Sequence, residues 1–335
     1  YMKRTALTEY RTQGRGGVGS KGATSKDDDF TEHLFVATTH NYLLIFTEFG
    51  KVFWKKVYAI PEGGKATKGR AIQNLINIEP GDKVRAVINV KNLSDEDYIN
   101  NNYIMMCTEK GTIKKTSLEA YSRPRQNGIN AITVKDGDRL LDVSLTNGEN
   151  FIVIAKNGGK VVHFKESDVR SMGRTASGVR GVTLEKNDRV IGMVCISRED
   201  SNLLVVSENG YGKRSAIEDY RITKRGGKGV KTINVTEKTG KLVAIKEVID
   251  SDDLMIINKS GITIRMAVEN LRIMGRATQG VKLIRLNEND QISSVAKIEN
   301  IEVEEVLEVG EEEGDINTPE KDSEVDNNEQ SNTEE

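Results

Sequence analysis

The sequence has little of what catalysis, cross-linking or membrane insertion would draw on. Its two cysteines, Cys107 and Cys195, sit inside apolar strand-like runs with no pairing pattern, which fits packed thiols in a reducing cytosol rather than a disulfide framework. Three scattered histidines, His33, His40 and His163, offer no metal-ligand spacing, so no metal site is expected. No apolar run approaches the roughly 18 residues of a membrane span, and no charged-then-apolar leader opens the chain. Aromatic residues make up only 5% of the chain, too few for the stacking platforms that hold single-stranded nucleic acid. A long helical period is also missing.

Charge, by contrast, is abundant, and the formal net charge of −2 hides a division. Residues 301–335 hold 15 acidic side chains and one lysine, Lys321; residues 1–300 keep 48 basic and 36 acidic ones, a net of +12. A basic body followed by an acidic, Asn- and Glu-rich tail over 299–335 points to a polyanionic partner and a disordered C-terminus.

Internal repetition governs the basic body. A turn glycine after an apolar run recurs at Gly50, Gly111, Gly159, Gly210 and Gly261, with gaps of 61, 48, 51 and 51 residues. A second column, Gly19, Gly69, Gly128, Gly178, Gly229 and Gly280, runs in step with it. The opening YMKRTAL fits the segment that follows a first-column glycine, which suggests a fragment beginning inside a repeat. Six units result, the clearest insertion being KNLSDEDYINNN at 91–102. Each alternates short Val-, Ile- and Leu-rich runs with Gly, Asn and Asp turns, the signature of antiparallel hairpins. A period near 50 with about four strands per unit is the size of a propeller blade. The expected fold is therefore all-β, six four-stranded blades over residues 1–298, the first incomplete at its N-terminus; an open β-solenoid is the alternative.

The stretch RTQGRGGVGSKG (11–22) carries Gly14-x-Gly16-x-x-Gly19, the spacing of a dinucleotide turn. No apolar-faced helix follows it, and Ser20-Lys21 reverses the order that a triphosphate loop needs, so both nucleotide readings fail. A flexible linker would have no reason to recur at blade period with cations around it. The remaining reading is a loop whose glycines let backbone N–H groups approach an anion, with Lys and Arg supplying charge. Basic residues occupy both columns. After the turn glycine come Lys3, Arg4, Lys114, Lys115, Lys213, Arg214 and Arg265. Around the second glycine come Arg15, Lys21, Lys65, Lys68, Arg70, Arg123, Arg125, Arg174, Arg180, Lys224, Arg225, Lys228, Arg276 and Lys282. Together they predict a basic belt on one rim.

The order YMKRTALTEYRTQGRGGVG, FKESDVRSMGRTASGVRG and SENGYGKRSAIEDY resembles the C-terminal domain of the gyrase A family, over about residues 1–298. The resemblance implies a six-bladed β-pinwheel with hairpin exchange between blades. It further implies double-stranded DNA wrapped with a fixed hand around the rim, in support of ATP-driven negative supercoiling by DNA gyrase. The implied partners are the rest of gyrase A and gyrase B in an assembly with two copies of each, in a bacterial cytoplasm at the nucleoid. ATP and Mg would be used by other domains, with no cofactor in this chain. The family's signature box is matched by Gln13, Arg15, Gly16, Gly17 and Gly19, while Gly14 and Val18 replace two basic positions. Lys224, Arg225, Gly226, Gly227, Lys228 and Gly229 keep the basic positions, with Thr223 in place of the Gln.

The family's catalytic tyrosine would lie in a domain preceding Tyr1. Tyr10, Tyr121 and Tyr220 follow acidic turns at a repeated position and read as packing residues, so the chain alone is not expected to cleave DNA or hydrolyse ATP. Three rivals remain. The C-terminal domain of topoisomerase IV, used for DNA substrate selection, usually has fewer blades and a decayed box, and six units with a recognisable box favour gyrase over it. A protein-binding propeller would carry apolar rim loops, and a propeller hydrolase would need converging carboxylates or histidines.

The acidic tail should compete with DNA for the basic rim. Deleting residues 301–335 is expected to tighten duplex binding at low salt; an unchanged affinity and salt slope would contradict this.

Overall fold

The computed structural model describes residues 1–6, 37–64, 67–198, 200–260, 263–287 and 290–298. The first hairpin is β1 (Tyr42–Thr47) and β2 (Lys51–Lys56), followed by β3 (Val84–Val90) and a short helix α1 (Glu96–Asn101). Next come β4 (Tyr103–Thr108), β5 (Thr112–Ser117), the two-residue β6 (Ile129–Asn130) and β7 (Leu140–Thr146). The pattern repeats as β8 (Phe151–Lys156), β9 (Lys160–Lys165), β10 (Val179–Arg180) and β11 (Val190–Ile196). It repeats again as β12 (Asn202–Ser207), β13 (Tyr211–Ala216), β14 (Val230–Lys231) and β15 (Leu242–Val248). The last set is β16 (Asp253–Asn258), β17 (Thr263–Ala267), β18 (Val281–Lys282) and β19 (Ile292–Ile298).

These strands form antiparallel sheets in the orders β3-β1-β2-β6, β7-β4-β5-β10, β11-β8-β9-β14, β15-β12-β13-β18 and β19-β16-β17. The strands β3, β7, β11, β15 and β19 lie against one another in turn, as the axis-lining strands of a propeller do. The core is therefore distributed between sheets. Leu44 and Phe46 of β1 pack with Ile104 and Met106 of β4, while Leu43 and Ile45 face the other way toward Phe53 and Ile76. Both faces of each central strand are buried, which is why its sequence reads as a continuous apolar run.

Within this propeller-like, all-β architecture the sequence predicts six four-stranded blades, whereas the described residues build five sheets, the last with three strands. Every four-stranded sheet takes its outermost strand from the following repeat: β6 pairs with β2, β10 with β5, β14 with β9 and β18 with β13. No later repeat follows β19 among the described residues to extend β17. Of the first repeat, Tyr1–Ala6 is described, and it adds only isolated bridges, Met2 to Arg70 and Arg4 to Glu62.

The crossover explains both glycine columns. The carbonyls of Gly50, Gly111, Gly159 and Gly210 accept hydrogen bonds from Ala131, Gly181, Thr232 and Leu283, each at 2.8 Å. Gly178, just before β10, has φ +97, and a Cβ there would lie 2.6 Å from the Ile113 carbonyl oxygen. A side chain is thus excluded twice, by the left-handed backbone and by the neighbouring strand. The recurrent acidic turns cap the hairpins: Asp82, Asp138 and Asp188 accept the N–H of Phe49, Lys110 and Gly158 at 3.1, 2.9 and 3.2 Å. The insertion at 91–102 folds into α1, because Asp95 caps it by accepting the Tyr98 N–H at 3.0 Å and Glu96 and Asp97 occupy its first turn.

Gly178→Ala should cost about 2 kcal/mol or more in urea unfolding. Five residues away, Gly173 has open space around it and an ordinary φ. Gly173→Ala should stay within about 0.5 kcal/mol of wild type.

Candidate functional site

The two basic columns separate in space. Those that follow the turn glycine lie on the second strand of each hairpin, and most of them face inward. Lys114 is fully buried; its Nζ donates to the Ala131 carbonyl at 2.6 Å and to the Arg174 carbonyl of the next repeat. Lys213, equally buried, donates to the Gly275 carbonyl. Lys3 donates to the Gly64 and Thr67 carbonyls, both at 2.8 Å. These are struts between repeats.

One position further on, a side-chain nitrogen reaches the end of the short helical turn in the next repeat, whatever residue supplies it. Arg4 donates to Ile60 at 3.0 Å, Trp54 to Tyr121 at 2.9 Å, His163 through Nδ1 to Tyr220 at 2.8 Å, and Arg214 to Leu271. Lys115 occupies this column too; it lies 3.8 Å from the buried Glu166 carboxylate and 5.0 Å from the Tyr103 ring centroid. Arg4 and Arg214 also pair with Glu62 and Asp250, and Arg265 pairs with Asp253.

The sequence-based expectation that this column contacts an external anion is therefore corrected for Lys114, Lys115, Lys213 and Arg214. The structure buries them, because both faces of each sheet are covered by a neighbour. Tyr121 and Tyr220 are buried packing residues, and burial raises both phenols. Burial likewise pushes the Cys107 and Cys195 thiols up, and both cysteines are free.

The second column behaves differently. Its loops run along the outer edge of the sheets, beside β6, β10, β14 and β18, and each is tied to the next. Thr133 Oγ1 donates to the Thr175 carbonyl at 2.7 Å, Thr183 Oγ1 to Gly226 at 2.6 Å, and Asn234 N–H to Thr278 at 3.2 Å. Arg225 binds the Asp168 and Arg180 carbonyls, each at 3.0 Å, and Arg276 binds the Lys231 carbonyl at 2.9 Å. The loops thus form one connected edge.

Along this edge Arg70, Arg123, Arg125, Arg180, Lys224, Lys228 and Lys282 are exposed, and Arg174, Arg225 and Arg276 half-buried. Among the described residues none of these ten makes an ion pair, whereas Arg85, Arg139 and Arg189 near the hairpin turns pair with Glu48 or Glu109. Lys68 is exposed on the same edge, 4.0 Å above the Tyr1 ring.

The loop at 223–229 lines a cleft of about 490 Å³ with Val161, His163 and Arg221. Its glycines have separate duties. Gly226 has φ +82, and a Cβ on Gly229 would lie 2.6 Å from the Val161 carbonyl oxygen; Gly227 has neither constraint, so its missing side chain leaves the backbone open to approach. Gln13, Arg15, Gly16, Gly17, Gly19, Lys21 and Lys65 lie outside the described residues.

The sequence reading missed Arg170, Arg221 and Arg272, which are exposed on the same edge and spaced by 51 residues, as are Arg174, Arg225 and Arg276. It also missed Lys231, exposed at the register of Arg180 and Lys282. Columns anchored on glycines stopped short of these positions, although the 51-residue period alone marks them.

Fold and edge together define a propeller-like β domain whose outer loops carry a row of cations. The family model of the DNA gyrase C-terminal domain, beta-propeller, matches residues 1–38, 41–91, 102–147, 152–197, 201–248 and 252–299, and the chain belongs to this family. The DNA gyrase A protein of Staphylococcus aureus (strain NCTC 8325 / PS 47) is 40% identical over 299 residues, covering 89% of this chain and 33% of that protein. The DNA gyrase A protein of Salmonella typhimurium (strain LT2) is 41% identical over 298 residues, with the same coverage of 89% and 33%. The chain therefore spans about a third of the length of these relatives.

Among solved structures, a DNA gyrase A C-terminal domain matches with a TM-score of 0.69 at 25% identity, covering 89% of this chain and 96% of that one. A topoisomerase IV C-terminal domain matches in fold with a TM-score of 0.74 at 24% identity, covering 83% of this chain and 85% of that one.

Burial, aided by the nearby Arg174, lowers Lys114 to about 8, and burial lowers Lys213 to about 8 as well. The unfolded chain holds these protons up to about 10.5, so it binds more protons than the folded one between pH 8 and 10.5. Stability from these groups must rise with pH across that window. The unfolding free energy of wild type relative to Lys213→Met should increase from pH 8 to pH 10; a flat difference would contradict a buried, desolvated amine.

Proposed function

We propose that this domain binds double-stranded DNA along its edge of linked loops and bends it around the sheets with a fixed hand. In this reading it is the wrapping domain of a DNA gyrase. It would act with the remainder of gyrase A and with gyrase B, in an assembly with two copies of each at the nucleoid. Wrapping presents a neighbouring DNA segment for strand passage, and the assembly's other domains supply DNA cleavage, ATP and Mg.

The observation that carries the reading is the segregation of charge. Lys114, Lys115 and Lys213 of the hairpin strands are held by carbonyls or a carboxylate inside the domain, while the ten cations of the outer edge make no ion pair among the described residues. Like charges held in a row repel one another, and a polyanion laid along them relieves that repulsion and releases its own counterions. The loops offer Lys, Arg and open glycine backbone with no reading helix, which suits phosphate contact rather than base readout. The spread of contacts over successive repeats is also what bending needs. A 40–90° bend over a short site costs about 1–6 kcal/mol, which several phosphate contacts offset together. Membership of the gyrase C-terminal family and the gyrase A relatives support the same assignment.

If two or three phosphates are neutralised per repeat, the affinity for a duplex should fall with salt at a log–log slope of about −10. Lys224→Ala combined with Arg225→Ala and Lys228→Ala should reduce that slope by about 2 to 3. An unchanged slope in the triple variant would remove this loop from the interface, and a wild-type slope near zero would end the DNA reading.

A further inference from the structure

Two large apolar side chains stand out on the edge loops: Ile222 is 52% exposed and Ile273 is 56% exposed. Isolated surface hydrophobes are ordinary. These two, however, share a register 51 residues apart, a common anchoring and common flanks. The residue after each donates its backbone N–H to the neighbouring strand, Thr223 to the His163 carbonyl at 2.7 Å and Met274 to the Arg214 carbonyl at 2.9 Å. Thr223 and Met274 are half-buried, and because adjacent side chains in extended chain face opposite ways, the isoleucine before each faces outward. The fourth repeat has the same geometry through Met172, which donates to the Lys115 carbonyl at 2.8 Å and packs against the core, but its outward residue is Ser171.

Each isoleucine directly follows an exposed arginine, Arg221 or Arg272, which makes no ion pair among the described residues. A second, half-buried arginine, Arg225 or Arg276, lies three residues after it. Cations that can grip phosphate therefore flank a branched apolar tip held by backbone hydrogen bonds. Phosphate contact gains nothing from such a tip, whereas a groove-inserted wedge is built from one.

We propose that Ile222 and Ile273 enter the minor groove of the duplex on this edge and part a base step at each position. The proposal rests on the DNA-binding reading above. It localises part of the bend at two kinks one repeat apart, in place of a uniformly strained arc.

Permanganate reactivity of thymines, which rises where stacking is lost, tests this with the 335-residue chain on a mixed-sequence duplex. Wild type should raise the summed reactivity on binding. Ile222→Ser and Ile273→Ser should each lose part of the rise and the double variant nearly all of it, with the salt slope unchanged because no cation is removed. Serine already occupies this register at Ser171, so the variants should melt like wild type. Ser171→Ile should add reactivity as a third wedge. Wild-type reactivity in a folded, DNA-bound double-serine variant overturns the proposal alone, and failure of wild type to bind duplex overturns both readings.

Discussion

The structure depends on one backbone exchange: each repeat lends a two-residue strand to the sheet before it. The exchange is fixed by a carbonyl of a turn glycine on one side and a left-handed glycine pressed against a strand carbonyl on the other. Neither contact tolerates a Cβ, and both recur along the chain. Through them each sheet is completed only by its successor, so the sheets stack in sequence and their apolar faces close on one another.

That exchange also decides what each cation does. A strand covered on both faces leaves no solvent for a lysine or arginine, which must find carbonyl oxygens or a carboxylate or stay desolvated. Lys114 and Lys213 meet this demand by reaching into the loop of the next repeat, and burial lowers both amines. The same struts hold those loops in place. Arg174 offers its carbonyl to Lys114, and its own side chain belongs to the outer edge. The interior charges thus position the exterior ones, and Arg174 and Arg180 on that edge make no ion pair among the described residues.

Much of this was legible in the sequence, for physical reasons. Glycine is the residue that left-handed turns and close strand contacts demand, so its spacing displayed the repeat, the hairpins and the all-β class. The duty of the second glycine column was misread. A loop that approaches an anion and a loop that approaches a neighbouring carbonyl both need a missing side chain, and spacing cannot separate them. Gly178 and Gly229 serve the neighbouring strand, while Gly227 alone in its loop is left open. The burial of Lys114 and Lys213 was hidden because alternation assigns one face to water, and these strands have no wet face. The count of six blades took every glycine-marked repeat as a sheet, whereas the described part of the first repeat, Tyr1–Ala6, adds only isolated bridges to the five sheets. The helix at Glu96–Asn101 could have been read from the Asp95 cap and the acidic first turn that follow Ser94.

Bending of duplex DNA with a fixed hand by the linked outer edge can be put to a single topological test. The protein is added to nicked circular DNA, the nick is sealed, and the linking number is measured after the protein is removed. A positive shift should appear, grow with protein and disappear when the cations of the edge loops are neutralised. Tight binding with no shift in linking number would contradict wrapping.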